Sequence, residues 1–167
     1  MLDCHDREAL ATVAAVCDLL ASVIQQLMQR AVARRLGDGH RPHLPIQWRS
    51  DNGSIYTALD TLLTAERLHL VPITTPAASP ESNGMSEAFV TTMRGDCLEG
   101  PDLATAAVVL EQVPVQVADY NAVAPHSVLG YESPHECRRN QLVGEPEGKP
   151  KAPHENGPTA ALSRAAT

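Results

Sequence analysis

The chain has 167 residues, 43% of them hydrophobic, with one Trp, one Phe and a formal net charge of −7. That length suits one domain with a core of its own, and the scarcity of aromatic residues makes that core aliphatic. The acidic balance argues against a self-sufficient nucleic-acid binder: residues 1–100 carry eight Arg against twelve acids, with no Lys, so any DNA contact there must be local. No apolar run approaches the roughly eighteen residues of a membrane span. The opening MLDCHDREAL is charged at once and lacks the layout of a signal peptide, so a cytoplasmic location is expected. Cys4, Cys17, Cys97 and Cys137 contain no C-x-x-C pair and read as buried thiols rather than a zinc knuckle or a disulfide framework.

In chain order, residues 1–6 show little pattern, and EALATVAAV reads as a buried strand or a short helix, which periodicity cannot separate. From Asp18 to Arg35 apolar residues recur at three and four, arginines crowd the end and Gly37 follows, which predicts an amphipathic helix. GDGHRPHLP is a loop, and Ile46-Gln47-Trp48 reads as a short strand with Asp51 just past its end. Residues 55–68 return to helical spacing through Leu59, Leu62, Leu63 and Leu68. LHLVPITT is a second short strand, with Pro72 confining it to an edge or an end. After the loop TPAASPESNG a helix opens around Glu87, with Ser82 or Asn83 as candidate caps. Residues 102–121 read as a helix that Pro114 kinks or splits. A loop and a short terminal helix follow, and the Pro-, Gly- and charge-rich stretch 141–167 reads as a disordered tail. Alternating strands and helices indicate an α/β layer architecture.

Asp51 is the first candidate functional residue. A nuclease-type site gathers carboxylates from different elements around hard cations, which clamp the attacking and leaving oxygens of a phosphodiester. The C-terminal end of a strand is where ligands collect in α/β sheets. Glu87, in the first turn of its helix, is the second candidate, favoured in its ionised form by the exposed amides there. Taken singly, Asp-Asn-Gly is an ordinary turn, Asn83 a helix cap and Arg94 a solvated charge. His126 reads as a packing residue of the APHSVLGY segment, Tyr120 and Asn121 as a buried ring and amide, and His40, His43 and His135 as loop histidines.

Asp51 and Glu87 are separated by thirty-five residues. With SDNGS, SPESNGMSEAF and Arg94 seven residues beyond the glutamate, that spacing resembles the acidic-triad transposases and retroviral-type integrases. HSVLGYESPHE resembles the ending of insertion-sequence transposases in that superfamily, and LDCHDREAL one of their inner strands. The resemblance covers about residues 1–140. It implies a ribonuclease-H-like mixed sheet flanked by helices, and DNA strand cleavage and transfer dependent on magnesium or manganese. It also implies Asp51 and Glu87 as catalytic metal ligands, and Asn83, Gly84 and Arg94 as DNA contacts. In the family a third acid lies on a first strand that precedes LDCHDREAL, so this chain is expected to hold an N-terminally truncated core (1–140), inactive alone, with Asp3 or Asp6 as possible substitutes. The implied partners are DNA, further copies of the chain or a full-length transposase. The alternative reading is a non-catalytic protein that joins or inhibits the full-length enzyme.

Overall fold

The computed structural model describes residues 1–74, 84–98 and 105–143. The chain opens with a tight hairpin in which Leu2 and Ala9 form an antiparallel bridge. Asp3 N donates to Glu8 O at 2.9 Å and Arg7 N to Asp3 O at 3.1 Å, closing the turn. LDCHDREAL is therefore a bridged hairpin rather than one strand. Residues 10–20 form no regular element, against the expectation of a strand or short helix. That stretch has no ladder partner among the described residues, and Val13 and Val16 are exposed.

Helix α1, Ala21–Leu36, buries Ile24, Leu27, Met28, Ala31 and Val32, the single stripe that three-and-four spacing produces. It starts three residues later than the spacing suggests, because Leu20 is extended at the cap and Asp18 provides no capping bond. It stops at Gly37, whose φ of 93° is open to glycine and strained for other residues. Strand β1, Ile46–Ser50, pairs in parallel with β2, Leu70–Thr74. Trp48 lies opposite Pro72, which has no N–H to give a ladder.

The crossover between the strands is two helices where the sequence suggested one. These are α2, Ser54–Thr57, and α3, Leu59–Arg67, broken at Ala58 with ψ 138°. The leucine stripe does not face the core: Leu59, Leu62 and Leu63 are exposed, whereas Thr61, Thr64 and Ala65 are buried. Short side chains let α3 approach α1. Their hydroxyls are satisfied locally, Thr61 Oγ1 donating to Ile55 O at 2.9 Å and Thr64 Oγ1 to Asp60 O at 2.8 Å, so their burial leaves no unpaired donor.

Helix α4, Gly84–Leu98, packs against α5, Ala106–Ala122. Helix α5 runs through Pro114 without splitting. A 3-10 turn at Ser127–Leu129 leads to α6, Pro134–Leu142. Ser133 accepts from Glu136 N and the Glu136 carboxylate accepts from Ser133 N, a capping box with Pro at the first helical position. Helix α6 runs to Leu142, and the expected tail from residue 144 onward lies outside the described residues.

Two apolar clusters result. One joins α1, Trp48, Ala65 and Leu70 with Ala11; the other joins Ala9, Val117 and Tyr120, with Phe89 and Met93 against them. The opening segment links the two clusters, contributing Ala9 to one and Ala11 to the other. Asn121 fixes that link. Fully buried, its side-chain oxygen accepts from Ala9 N at 2.8 Å and its amide donates to Ala9 O at 3.1 Å, replacing a strand partner with a side chain. The expected role of Tyr120 and Asn121 as buried ring and amide is thus met. The buried-thiol reading is not met at three of the four cysteines: Cys4 and Cys17 are exposed and Cys137 is half-buried, since the first two stand in the hairpin turn and the irregular stretch after it, and the side chain of Cys97 lies outside those described.

Candidate metal and nucleic-acid site

Trp48 positions Asp51. Its ring is buried under α1 and meets Tyr56 at a centroid distance of 6.0 Å, which anchors β1 and leaves the next residues at the C-terminal edge of the parallel pair. Ser50 is in register with Thr74, so β2 ends at the same edge. Asp51 is exposed, and its Oδ1 accepts from Gly53 N at 2.9 Å, a side-chain turn that aims the carboxylate across the start of α2. A Cβ added at Gly53 would stand 2.9 Å from that oxygen and 3.3 Å from the Tyr56 ring, so glycine keeps this corner closed. Burial raises the Tyr56 phenol pKa, and the Asp51 charge raises it further.

Glu87 sits in the first turn of α4 and is exposed, as is Arg94. Both lie on one continuous helix seven residues apart and so share a face. The opposite face carries Phe89 and Met93 into the second cluster. Gly84, the first residue of α4, is exposed, and a Cβ there would meet nothing within 4 Å. Asn83 and the alternative cap Ser82 lie outside the described residues.

Glu87 and Arg94 are therefore brought together, while Asp51 stands at the edge of the other cluster. Among the described residues neither candidate carboxylate enters an ion pair, and no group of three or more His, Cys, Asp or Glu side chains is placed to hold a metal. Hard carboxylate oxygens suit magnesium or manganese in kind, but the described donors fall short of a two-metal centre in number.

Asp3 and Asp6 do not make up the number. Arg35 donates to Asp6 Oδ2 at 2.8 Å and to Asp3 Oδ2 at 2.8 Å, and Asp6 Oδ1 also accepts from Glu8 N at 3.1 Å. Glu8 is the centre of the same network. Its carboxylate, 5% exposed, meets Arg34 at 3.0 Å, Arg138 at 3.2 Å, Arg35 at 3.4 Å and His135 Nε2 at 3.7 Å. These pairs tie the hairpin to the C-terminal end of α1 and to α6. His135 is thus a helix residue facing a buried acid rather than a loop histidine. Sequence reasoning missed this network because Arg34 and Arg35 already had an adequate reading as partners of the helix dipole.

Residues 70–134 match the family model described as "Integrase core domain". The chain is 42% identical over 144 residues to the insertion element IS136 uncharacterized protein of Agrobacterium tumefaciens (strain T37), covering 86% of this chain and 73% of that protein. It is 41% identical over 143 residues to transposase InsD for insertion element IS2D of Escherichia coli (strain K12), covering 84% of this chain and 46% of that one. It thus spans just under half the length of that transposase. Among solved structures, the catalytic core domain of BIV integrase aligns with a TM-score of 0.56 at 15% identity, over 78% of each chain. A chain of the simian T-cell lymphotropic virus intasome aligns with a TM-score of 0.55 at 19% identity, over 80% of this chain and 46% of that one. At these identities the likeness is one of fold: the α/β layers are those of a ribonuclease-H-like integrase core.

Proposed function

Because the chain belongs to the integrase-core family of insertion-element transposases, whose members act in DNA integration and transposition, we propose that it is a DNA-facing core segment incomplete for catalysis by itself. In this reading Asp51 and Glu87 are two of the carboxylates that hold magnesium or manganese in a complete core. Asn83, Gly84 and Arg94 line the approach of DNA. The observation that carries the reading is the placement of the two acids. Asp51 follows β1 at the edge where β2 also ends, and Glu87 lies in the first turn of α4, both exposed and neither in an ion pair among the described residues. With only two such donors among the described residues, the chain alone is expected neither to cleave nor to join DNA.

The test is a strand-transfer assay on labelled donor ends, with magnesium and with manganese, for the chain and its Asp51→Asn variant. A blank result for both is expected. Metal-dependent product from the chain that Asp51→Asn abolishes would mean that a third ligand is already in place.

A second reading, a non-catalytic partner of further copies or of a full-length transposase, is favoured by α3. Its Leu59, Leu62 and Leu63 form an apolar stripe open to solvent, of the kind that marks interaction surfaces. Mixing the chain with an active relative distinguishes the two: inhibition that Leu59→Glu relieves supports association, and inhibition unchanged by it does not.

A further inference from the structure

Helix α3 turns Thr61, Thr64 and Ala65 inward and leaves its opposite face to solvent. Leu59, Leu63 and Glu66 run down the middle of that outer face, all exposed. Leu62 stands on one flank. Asp60 and Arg67 stand together on the other, because seven residues is close to two whole turns. Clustered exposed leucines mark a surface that another molecule covers. The leucines alone do not say which molecule; the two charges beside them do.

Neither Asp60 nor Arg67 enters an ion pair among the described residues. Arg67 Nε donates to Leu63 O at 3.2 Å, which steadies the side chain on its flank. Two copies of a helix that meet across a perpendicular two-fold axis run antiparallel, and each flank then faces its own counterpart in reverse order. Reversal sets Asp60 of each copy against Arg67 of the other, two ion pairs from one symmetry. The same operation brings Leu63 against Leu63 beside the axis and Leu62 against Leu62 on the far flank. It also carries Glu66 toward the start of the other α3, which has no side-chain cap and whose free amides favour a carboxylate. In a parallel pairing the charged flank would face the Leu62 flank, and both charges would go unanswered.

We propose that the outer face of α3 is a self-complementary docking surface, on which a second copy of this chain binds antiparallel with Asp60 of each copy paired to Arg67 of the other. The proposal rests on the second reading under Proposed function, whose occupant it names, and not on the DNA reading. Three leucines supply much less than the roughly 800 Å² per partner of a standard interface. The dimer is therefore weak, with a Kd on the order of 100 µM.

The experiment is sedimentation equilibrium of the full chain up to about 1 mM, for wild type, Leu63→Glu, Asp60→Arg and Arg67→Asp, with circular dichroism to show that each variant folds. A monomer–dimer equilibrium is expected for wild type and monomer alone for Leu63→Glu. Each charge variant places four like charges along the seam and should weaken dimerisation about tenfold or more. Mixed in equal amounts, the two charge variants should associate at least as tightly as wild type, since one copy then presents two cations and the other two anions. A folding defect cannot produce that restoration. Wild type that stays monomeric, a dimer indifferent to all three substitutions, or charge variants that fail to associate on mixing overturns the proposal. Monomeric wild type that still inhibits an active relative, with relief by Leu59→Glu, overturns self-docking and leaves the second reading standing with another surface of the full-length enzyme as the occupant. Dimerisation as described without such inhibition supports the docking and counts against the second reading.

Discussion

Replacing Glu8 by Gln tests whether the ionic cage docks α6 and the hairpin onto α1. The carboxylate faces Arg34, Arg138, Arg35 and His135 within 3.0–3.7 Å. Glutamine keeps the volume and one acceptor oxygen but removes the charge that the guanidiniums share, and its amide presents donors to groups that are themselves donors. Removing one partner from a buried ion pair costs about 3–5 kcal/mol. Here the cations are 43% (Arg34), 19% (Arg35) and 29% (Arg138) exposed, so water re-enters on their side and screening reduces the figure. Asp3 and Asp6 also continue to hold Arg35. A loss of about 2–3 kcal/mol is expected, which moves a urea midpoint down by about 1 M or more for a domain of this size. Arg34→Gln, which removes the most exposed cation, should cost about 1 kcal/mol or less. If Glu8→Gln costs no more than Arg34→Gln, the cage is not what holds the helices to the hairpin.

Asn121→Ala leaves both backbone groups of Ala9 without a partner in the core and should cost about 2–4 kcal/mol in equilibrium unfolding; a cost below about 1 kcal/mol would mean that water or another donor takes its place. Gly53→Ala, at φ −60° and ψ 144°, meets no backbone strain, so its effect is to push the Asp51 carboxylate off Gly53 N. Stability should change by less than about 1.5 kcal/mol, while the emission of Trp48, the only Trp of the chain, shifts as Tyr56 moves; unchanged emission would show that the corner yields without disturbing the ring pair. The depressed pKa of His126 makes the unfolded chain take up a proton first as pH falls through about 6.5, so stability declines from there toward the lower folded-state value and is unaffected above it. Urea midpoints of wild type and His126→Phe across that window check the sign: the variant should lose this part of the slope, and parallel profiles would place the titration elsewhere.

The elements that periodicity makes unambiguous were legible in the sequence, and those decided by partners were not. The stripe from Ile24 to Val32 can only be one helix face, and Gly37 after two arginines can only be its end. The places of Asp51 and Glu87 in the fold were legible for a related reason. Asp51 follows a run that Trp48 must bury, and Glu87 falls in a first turn, so local chemistry alone sets where each stands. Leu59, Leu62 and Leu63 misled because leucine at helical spacing suggests an inward face. Thr61, Thr64 and Ala65 won that face by being short enough for α3 to lie close to α1, a tertiary fact that no window of α3 contains. The Glu8 network was invisible for the same reason at greater range, since Arg138 lies 130 residues away in sequence.

The cage also separates the acids of the chain by what they are free to do. Asp3, Asp6 and Glu8 carry formal charge as good as that of Asp51 and Glu87, yet each is already in contact with a guanidinium. For Asp6 to ligate a cation, Arg35 would have to give up its bonds at 2.8 and 3.1 Å while its own Nε already lacks a partner. The cation gained would thus be offset by a guanidinium left uncompensated near the core, a loss of the several-kcal/mol class. Asp51 and Glu87 face no such opposition, because neither is engaged by a basic residue among the described ones. On the proposed reading, the donor that completes a metal site with them is therefore to be sought beyond the described residues of the chain or on a partner, and not in the hairpin.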